Sequence, residues 1–196
     1  MTTFLKTCKA ATISPAPAAL KILLALLTLL ALTACQGPHI NDYRGTEPEL
    51  DLFAFFTGEL SASGVVRKRS GKVIRHFNAS ITANQQGDVL TLDEQFVFSD
   101  GEQQQRIWRI QREKDNNFRG RAADVDGEAR GQSRGQALQW RYKLELSVDG
   151  KQYKVKFDDW MYLVNSHTLI NISDMYFWGF KVGDVVLVIN KDKKQH

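Results

Sequence analysis

The feature that most constrains this chain is the strict alternation of apolar and polar side chains over residues 137–148, ALQWRYKLELSV. One row holds the large apolar side chains, Leu138, Trp140, Tyr142, Leu144 and Leu146; the other is polar, Gln139, Arg141, Lys143 and Glu145. Successive side chains of a β-strand point to opposite faces. The pattern therefore predicts a half-buried antiparallel strand.

Further apolar segments of strand length follow one another from Glu59 onward, separated by short turn sequences. Asp100-Gly101 and Asp149-Gly150 are two-residue hairpin signals, and Ser70-Gly71 and Gln86-Gly87-Asp88 are also typical of turns. No long connection interrupts the series. We therefore predict an all-β domain, an antiparallel up-and-down barrel of about 8–10 strands, preceded by a short helical or plug segment at 49–56.

The segment Ala123–Leu138, ADVDGEARGQSRGQAL, allows two geometries. As one bent strand, it would present a row of small residues to one face and leave room for a packed neighbour or a ligand. If the segment is instead a hairpin with Asp126-Gly127 at its turn, the small residues before the turn and those after it would lie on different faces. Either way, the length of the region predicts a break or strong bend at Gly127, Gly131 or Gly135.

Residues 1–34 have the composition of a lipoprotein signal peptide. A leader with Lys6, Lys9 and Lys21 precedes the 11-residue apolar run ILLALLTLLAL, which is shorter than the ~20 residues of a membrane-spanning helix. The run ends in Leu-Thr-Ala-Cys, a match to the bacterial lipobox. We therefore predict cleavage before Cys35 and acylation of its thiol, with each buried CH₂ contributing about 0.8 kcal/mol to membrane attachment.

The sequence after Cys35 predicts the location and the domain boundaries. The next residue is Gln36 rather than Asp, which by analogy with lipoprotein sorting favours the periplasmic face of the outer membrane. Residues 35–48 are predicted to be the acylated cysteine and a flexible tether, because QGPHINDYRGTEP is polar and rich in turn formers. Residues 49–196 are predicted to form the barrel.

Charge and cysteine content exclude two classes of protein. Three of the 26 basic residues lie in the leader, which leaves 23 against 22 acidic residues. A nearly neutral domain lacks the basic surface that nucleic-acid binding requires. Both cysteines, Cys8 and Cys35, precede the barrel, so the barrel has no disulfide and must be stabilised by packing.

No motif for catalysis, metal binding or a cofactor is found. The four histidines are scattered without metal-ligand spacing, and no nucleotide-binding or hydrolase signature occurs. Asp158 and Asp159 are adjacent on a predicted strand, so at most one faces the interior, where it would pair with an arginine such as Arg109 or Arg75. We expect no enzyme; an interior cluster of Asp159, an arginine and a tyrosine would favour one.

Seven aromatic and charged residues on the predicted strands are our candidates for ligand contact: Trp108, Arg109, Trp140, Tyr142, Asp159, Trp160 and Tyr162. The alternative is that the tryptophans only fill the core or close the barrel. A further aromatic group, Tyr176-Phe177-Trp178 with Phe180, would suit either a bilayer interface or the core, and we expect core packing.

Three segments, FFTGELSASGVV, DDWMY and FWGFKVGDV, resemble a family of proteobacterial lipoproteins catalogued only as a domain of unknown function. The resemblance spans nearly all of the chain after Cys35. It implies a lipocalin-like fold. Genes of the family often lie near those for cyclopropane-fatty-acid synthase-like enzymes, which implies a connection to envelope lipids.

These observations support two functional hypotheses. The first is a lipid-anchored barrel that binds or carries an apolar ligand, a fatty acid, acyl chain or phospholipid, in its interior. The second is a structural or assembly lipoprotein that acts through its surface and holds no internal ligand. The sequence identifies neither the ligand nor a protein partner.

Overall fold

The computed structural model describes residues 37–148 and 150–191, together with Ala18. Apart from Ala18, the predicted signal peptide lies outside the described residues, as does Cys35. Contacts divide the chain into a unit that ends at Pro38 and a second unit that begins at His39. The strands described below all belong to the second unit.

Ten antiparallel strands form one closed sheet. Each pairs with its neighbour in sequence, and the first pairs with the last, so the sheet has no free edge. This confirms the predicted barrel. The strands are β1 (Gly58–Lys68), β2 (Val73–Gln86), β3 (Val89–Phe98), β4 (Gln103–Arg112), β5 (Asn117–Arg121), β6 (Ala129–Arg134), β7 (Ala137–Val148), β8 (Lys151–Asn165), β9 (Thr168–Phe177) and β10 (Phe180–Lys191).

A short helix, α1 (Leu52–Phe56), closes one end of the barrel, as the sequence predicts for 49–56. The Asp51 carboxylate caps it by accepting from the N–H groups of Phe53 and Ala54. The Lys191 ammonium on β10 donates to the Ala54 carbonyl, so the helix is tied to the barrel wall. No helix within the described residues has the length and apolar character to cross a bilayer.

The barrel unit includes residues that we predicted to be a flexible tether. A 3₁₀ segment, Ile40–Tyr43, packs on the outside of the barrel and buries Ile40. The Tyr43 ring contacts the rings of Trp160 and Tyr162. The tether prediction is therefore wrong for residues 39–48, because sequence polarity did not reveal these apolar anchors.

The segment Ala123–Leu138 is neither one bent strand nor a simple hairpin. A loop over 122–128 separates β5 from β6, with Gly127 at a φ of 80°, and a second turn at Gly135 leads into β7. The small row Ala129, Gly131 and Ser133 on β6 is buried. The Trp140 ring lies against Gly131 and against Gly120 on β5, so the glycines make room for an indole rather than for a ligand.

Candidate functional site

The barrel interior contains a cavity of about 290 Å³. Leu52 and Phe56 of α1 line one end. The lining continues to the opposite end, where Phe98 and the solvent-exposed Gln104 belong to it, so the cavity meets solvent there. The volume lies near the lower end of the range for small-molecule sites.

Most of the cavity wall is aromatic or aliphatic. Trp108 packs edge-to-face against Trp140 and Tyr142, with ring centroids 5.7 and 5.3 Å apart. Tyr142 stacks on Phe157 at 5.2 Å. Such contacts fix the rings in place, so they form a rigid wall for an apolar ligand.

One polar group in this wall is centred on Arg106. The Arg106 guanidinium donates to Asp124, with Nη2 2.8 Å from Oδ2, and lies opposite Glu94 in the β3–β4 ladder. Burial raises the pKa of Glu94 to about 7, against the smaller opposing effect of Arg106. The guanidinium remains charged because Tyr142, Asp124 and Glu94 raise its pKa despite its burial.

A second polar group, on β7, β8 and β9, is centred on Asp159. Its carboxyl group accepts hydrogen bonds from the hydroxyls of Tyr142 and Ser173. The Ser173 hydroxyl in turn accepts from the Asn171 amide at 3.1 Å. Burial raises the pKa of Asp159 to about 7, so near neutral pH it exchanges protons readily.

Four of the seven candidate ligand-contacting residues line the cavity: Trp108, Trp140, Tyr142 and Asp159. The other three do not. Arg109 is exposed on the outer face, because it alternates with the inward Trp108 and Ile110. Trp160 and Tyr162 also face outward, since they alternate with Asp159, and they pack against Tyr43. Among the described residues Asp159 forms no ion pair with Arg109 or Arg75, and the arginine whose charge lowers its pKa is Arg106.

Sequence reasoning missed five polar residues of the cavity: Glu94, Gln104, Arg106, Asn171 and Ser173. A signal for one of them was present. Glu94 shares its parity with Leu90, Leu92, Phe96 and Phe98, so it is an acid within an apolar row. The others lie in rows of mixed polarity, where alternation alone does not identify an interior position.

The open end of the cavity carries an exposed apolar rim. The β1–β2 and β9–β10 turns lie side by side there, because the Arg69 N–H donates to the Val182 carbonyl. Trp178 is 88% exposed and Phe180 70% exposed, so the expectation of core packing is wrong for these two residues. The rim consists of Val73, Ile74, Trp178, Phe180 and Val182.

A row of basic side chains crosses the outer wall beside this rim. Lys143 lies directly opposite Lys156 in the β7–β8 ladder, and Lys156 is opposite Tyr176. Like charges placed opposite each other are destabilising. No carboxylate among the described residues forms an ion pair with Lys143 or Lys156, and both line an open groove that ends at Trp178. The arrangement suits anionic groups from outside.

Within residues 37–148 and 150–191, no three His, Cys, Asp or Glu side chains are grouped to hold a metal ion.

A solved structure with similar architecture is the S-type phycobiliprotein lyase CPES from Guillardia theta. It is 7% identical, with a TM-score of 0.51 over 74% of this chain and 92% of that one, which shows a shared barrel fold. The redesigned β barrel mFAP1, solved bound to DFHBI, is 9% identical, with a TM-score of 0.40 over 72% of this chain and all of that one. That similarity is too low to support an inference.

No curated protein matches this sequence. The family described as "Protein of unknown function (DUF3833)" matches residues 29–191, which include the whole barrel. This confirms the resemblance to a family of unknown function, and the closed antiparallel sheet confirms the predicted barrel. The chain belongs to the DUF3833 family.

Proposed function

We propose that this protein is a lipoprotein, anchored through Cys35 at the periplasmic face of the outer membrane, that binds or carries a lipid in its barrel. The observation that carries the proposal is the apolar cavity, closed by α1 at one end and open at the other. Burying a hydrocarbon chain against such a wall yields about 0.8 kcal/mol per CH₂. The role is binding rather than catalysis.

The rim supports loading from a bilayer. Trp178 and Phe180 are large apolar side chains at the mouth of the cavity, where aromatic residues favour the membrane interface. The neighbouring Lys143 and Lys156 attract phosphate headgroups of anionic lipids. A lipid chain would then pass from bilayer to cavity with little exposure to water.

The proposal is tested by incubating the purified mature protein with phosphatidylglycerol vesicles and measuring bound lipid by native mass spectrometry. Ala79 lines the cavity and Ser80 faces outward. We expect Ala79→Phe to abolish lipid binding by filling the lumen and Ser80→Phe to retain it. Trp178→Ser is expected to slow loading, whereas Val164→Ser, which removes an exposed apolar side chain elsewhere, is not.

Absence of bound lipid on the wild-type protein, or equal loading of the Ala79→Phe variant, would sink the carrier proposal. A surface role without an internal ligand would then be the better account.

The interior cluster of Asp159, Arg106 and Tyr142 also meets the condition that sequence analysis set for an enzyme. Buried acids with a pKa near neutrality suit proton transfer. The same mass spectra separate the two functions. A carrier returns each lipid with its mass unchanged, whereas an enzyme releases a chemically altered product that the Asp159→Asn variant does not form.

A further inference from the structure

Two buried hydrogen-bond acceptors in the cavity wall have no partner. Asp159 is 4% exposed and Asn171 is 6% exposed, and both line the cavity. Asp159 Oδ1 and Asn171 Oδ1 accept no hydrogen bond. A buried acceptor without a donor is costly. Within a largely apolar lumen that also holds Glu94 and Arg106, these two atoms offer unused acceptors to the polar group of a ligand.

The hydrogen bond that the Asn171 amide donates identifies the free atom of that side chain as an acceptor. At pH 8, above its pKa of about 7, Asp159 is ionised and also only accepts. The Ser173 hydroxyl has a single hydrogen, which it donates to Asp159. It must therefore accept from the Asn171 amide nitrogen, as it does at 3.1 Å. The Asn171 carbonyl oxygen is then left as the free atom of that side chain.

The charges around the cluster disfavour an anionic ligand group. Two cations line the cavity among the described residues, and both form ion pairs: Arg106 with Asp124, and Arg75, through Nη2, with Asp100 and Glu102. Arg75 Nε is a donor without a hydrogen-bond partner among the described residues, and its guanidinium stacks on the Phe98 ring near the open end of the cavity. Glu94 and Asp159 add carboxyl groups to the wall, and Asp158 lies just outside it. A buried carboxylate on the ligand would meet other carboxyl groups and no unpaired cation.

We propose that the cavity selects an amphiphile whose polar group donates hydrogen bonds, a hydroxyl or an amine, and discriminates against a carboxylate. The proposal rests on the proposed function, since it assumes that the lumen holds a lipid. The hydroxyl or amine of the ligand donates hydrogen bonds to Asp159 Oδ1 and Asn171 Oδ1, while its apolar chain occupies the aromatic part of the cavity.

The test compares three ten-carbon probes, 1-decanol, decylamine and sodium decanoate, at pH 8. Binding to the mature protein is followed by the fluorescence of Trp108 and Trp140, which line the cavity. We expect decanol and decylamine to bind about tenfold more tightly than decanoate, or tighter still. Decanoate would lose the hydrogen bond that the other two probes donate, and it would bury a carboxylate without a counter-charge. Asn171→Leu, of similar volume without the acceptor, should weaken decanol binding about five- to tenfold.

Asp159→Asn should narrow the preference for decylamine over decanoate. The matched control is Asp158→Asn, the next residue on β8, which pairs with Arg141 on the outer face and should leave the ranking unchanged. Tighter or equal binding of decanoate to the wild-type protein overturns this inference and leaves the carrier function standing. If none of the three probes binds, both proposals fail.

Discussion

At the residue scale, the unusual feature is a pair of carboxyl groups inside an apolar barrel. Asp159 and Glu94 lie on opposite parts of the wall, each with a pKa raised to about 7 chiefly by burial. A buried acid of this kind opposes folding once it ionises. The barrel therefore keeps these groups at a cost in stability, which is expected of residues retained for ligand recognition.

This arrangement predicts how stability depends on pH. The pKa of Asp159 is about 7 in the folded protein, against its ordinary value of 3.8 in an unfolded chain. Between these two pH values the folded state therefore binds more protons than the unfolded state. The free energy of unfolding should fall as pH rises from 5 to 8. Asp159→Asn should remove the part of this dependence that comes from Asp159 and leave the part that comes from Glu94. The free energy of unfolding of the variant should exceed that of the wild type by roughly 1–3 kcal/mol at pH 8.

Urea unfolding at both pH values measures the effect. Acids whose pKa is lowered, such as Glu128 beside Arg121 and Asp184 beside Arg67, affect stability only below this window, because their pKa values lie below the ordinary values of 4.5 and 3.8. Asp158→Asn is the control for loss of a carboxylate on the same strand and should change stability by about 1 kcal/mol or less. A wild-type stability that rises between pH 5 and 8 would contradict the prediction.

At the element scale, β5 and β6 are short strands whose small inward residues accommodate a large neighbour. Gly120 and Gly131 lie directly beneath the Trp140 ring, and a Cβ at either position would overlap the indole. Trp140 can thus lean against the wall, and the space that remains in the lumen is lined by Trp108 and Tyr142.

Gly131→Ala is therefore expected to destabilise the barrel by about 1–3 kcal/mol, because the added methyl group overlaps the Trp140 indole, which can avoid it only by giving up its edge-to-face contact with Trp108. Elsewhere in a strand, replacing glycine by alanine usually stabilises the protein, so a loss of stability here would be due to the contact with Trp140. Denaturant unfolding and the near-ultraviolet circular dichroism of tryptophan measure the change. Arg130→Ala, at the exposed neighbouring position, should stay within about 0.5 kcal/mol of the wild type; an equal loss in both variants argues against the packing account.

At the scale of the whole molecule, a closed sheet leaves the two ends as the routes to the interior. Helix α1 occupies one end, and the rim with Trp178 and Phe180 lies along one side of the other. The proposed loading from a bilayer would be favoured if the protein were attached to that bilayer. The proposed acyl anchor at Cys35 would provide that attachment, and the packing of residues 39–48 on the barrel keeps the remaining linker short.

The anchor predicts a defined mature mass and a defined location. Mass spectrometry of the protein from membranes should show a chain that begins at Cys35 and carries three acyl groups, whereas Cys35→Ser should yield the uncut, unacylated precursor. Gln36→Asp should move the protein from the outer to the inner membrane on density-gradient fractionation. A mature wild-type protein without acyl groups would contradict the anchor.

The sequence by itself determined the class of fold. Alternation along 137–148 and the hairpin turn at Asp100-Gly101 are local properties of the sequence. Because each strand pairs with the next strand in the chain, these local properties are enough to predict the order of the strands in the sheet. The same local patterns predicted that Trp108, Trp140, Tyr142 and Asp159 lie on strands. An inward orientation could be predicted only where the alternate residues of the strand are strongly apolar, as they are around Trp140 and Tyr142.

Only the tertiary structure decided which polar residues meet inside the barrel. Arg106, Glu94 and Asp159 are brought around one lumen by closure of β1 onto β10, and no spacing along the chain records that closure. Trp160 and Tyr162 are as apolar as core residues, yet they face outward, where Tyr43 of the N-terminal segment packs on them. Whether a side chain of a barrel strand is buried depends on the residues that face it inside the lumen and on the segments that pack on the outer surface. Both are set only when the chain has folded.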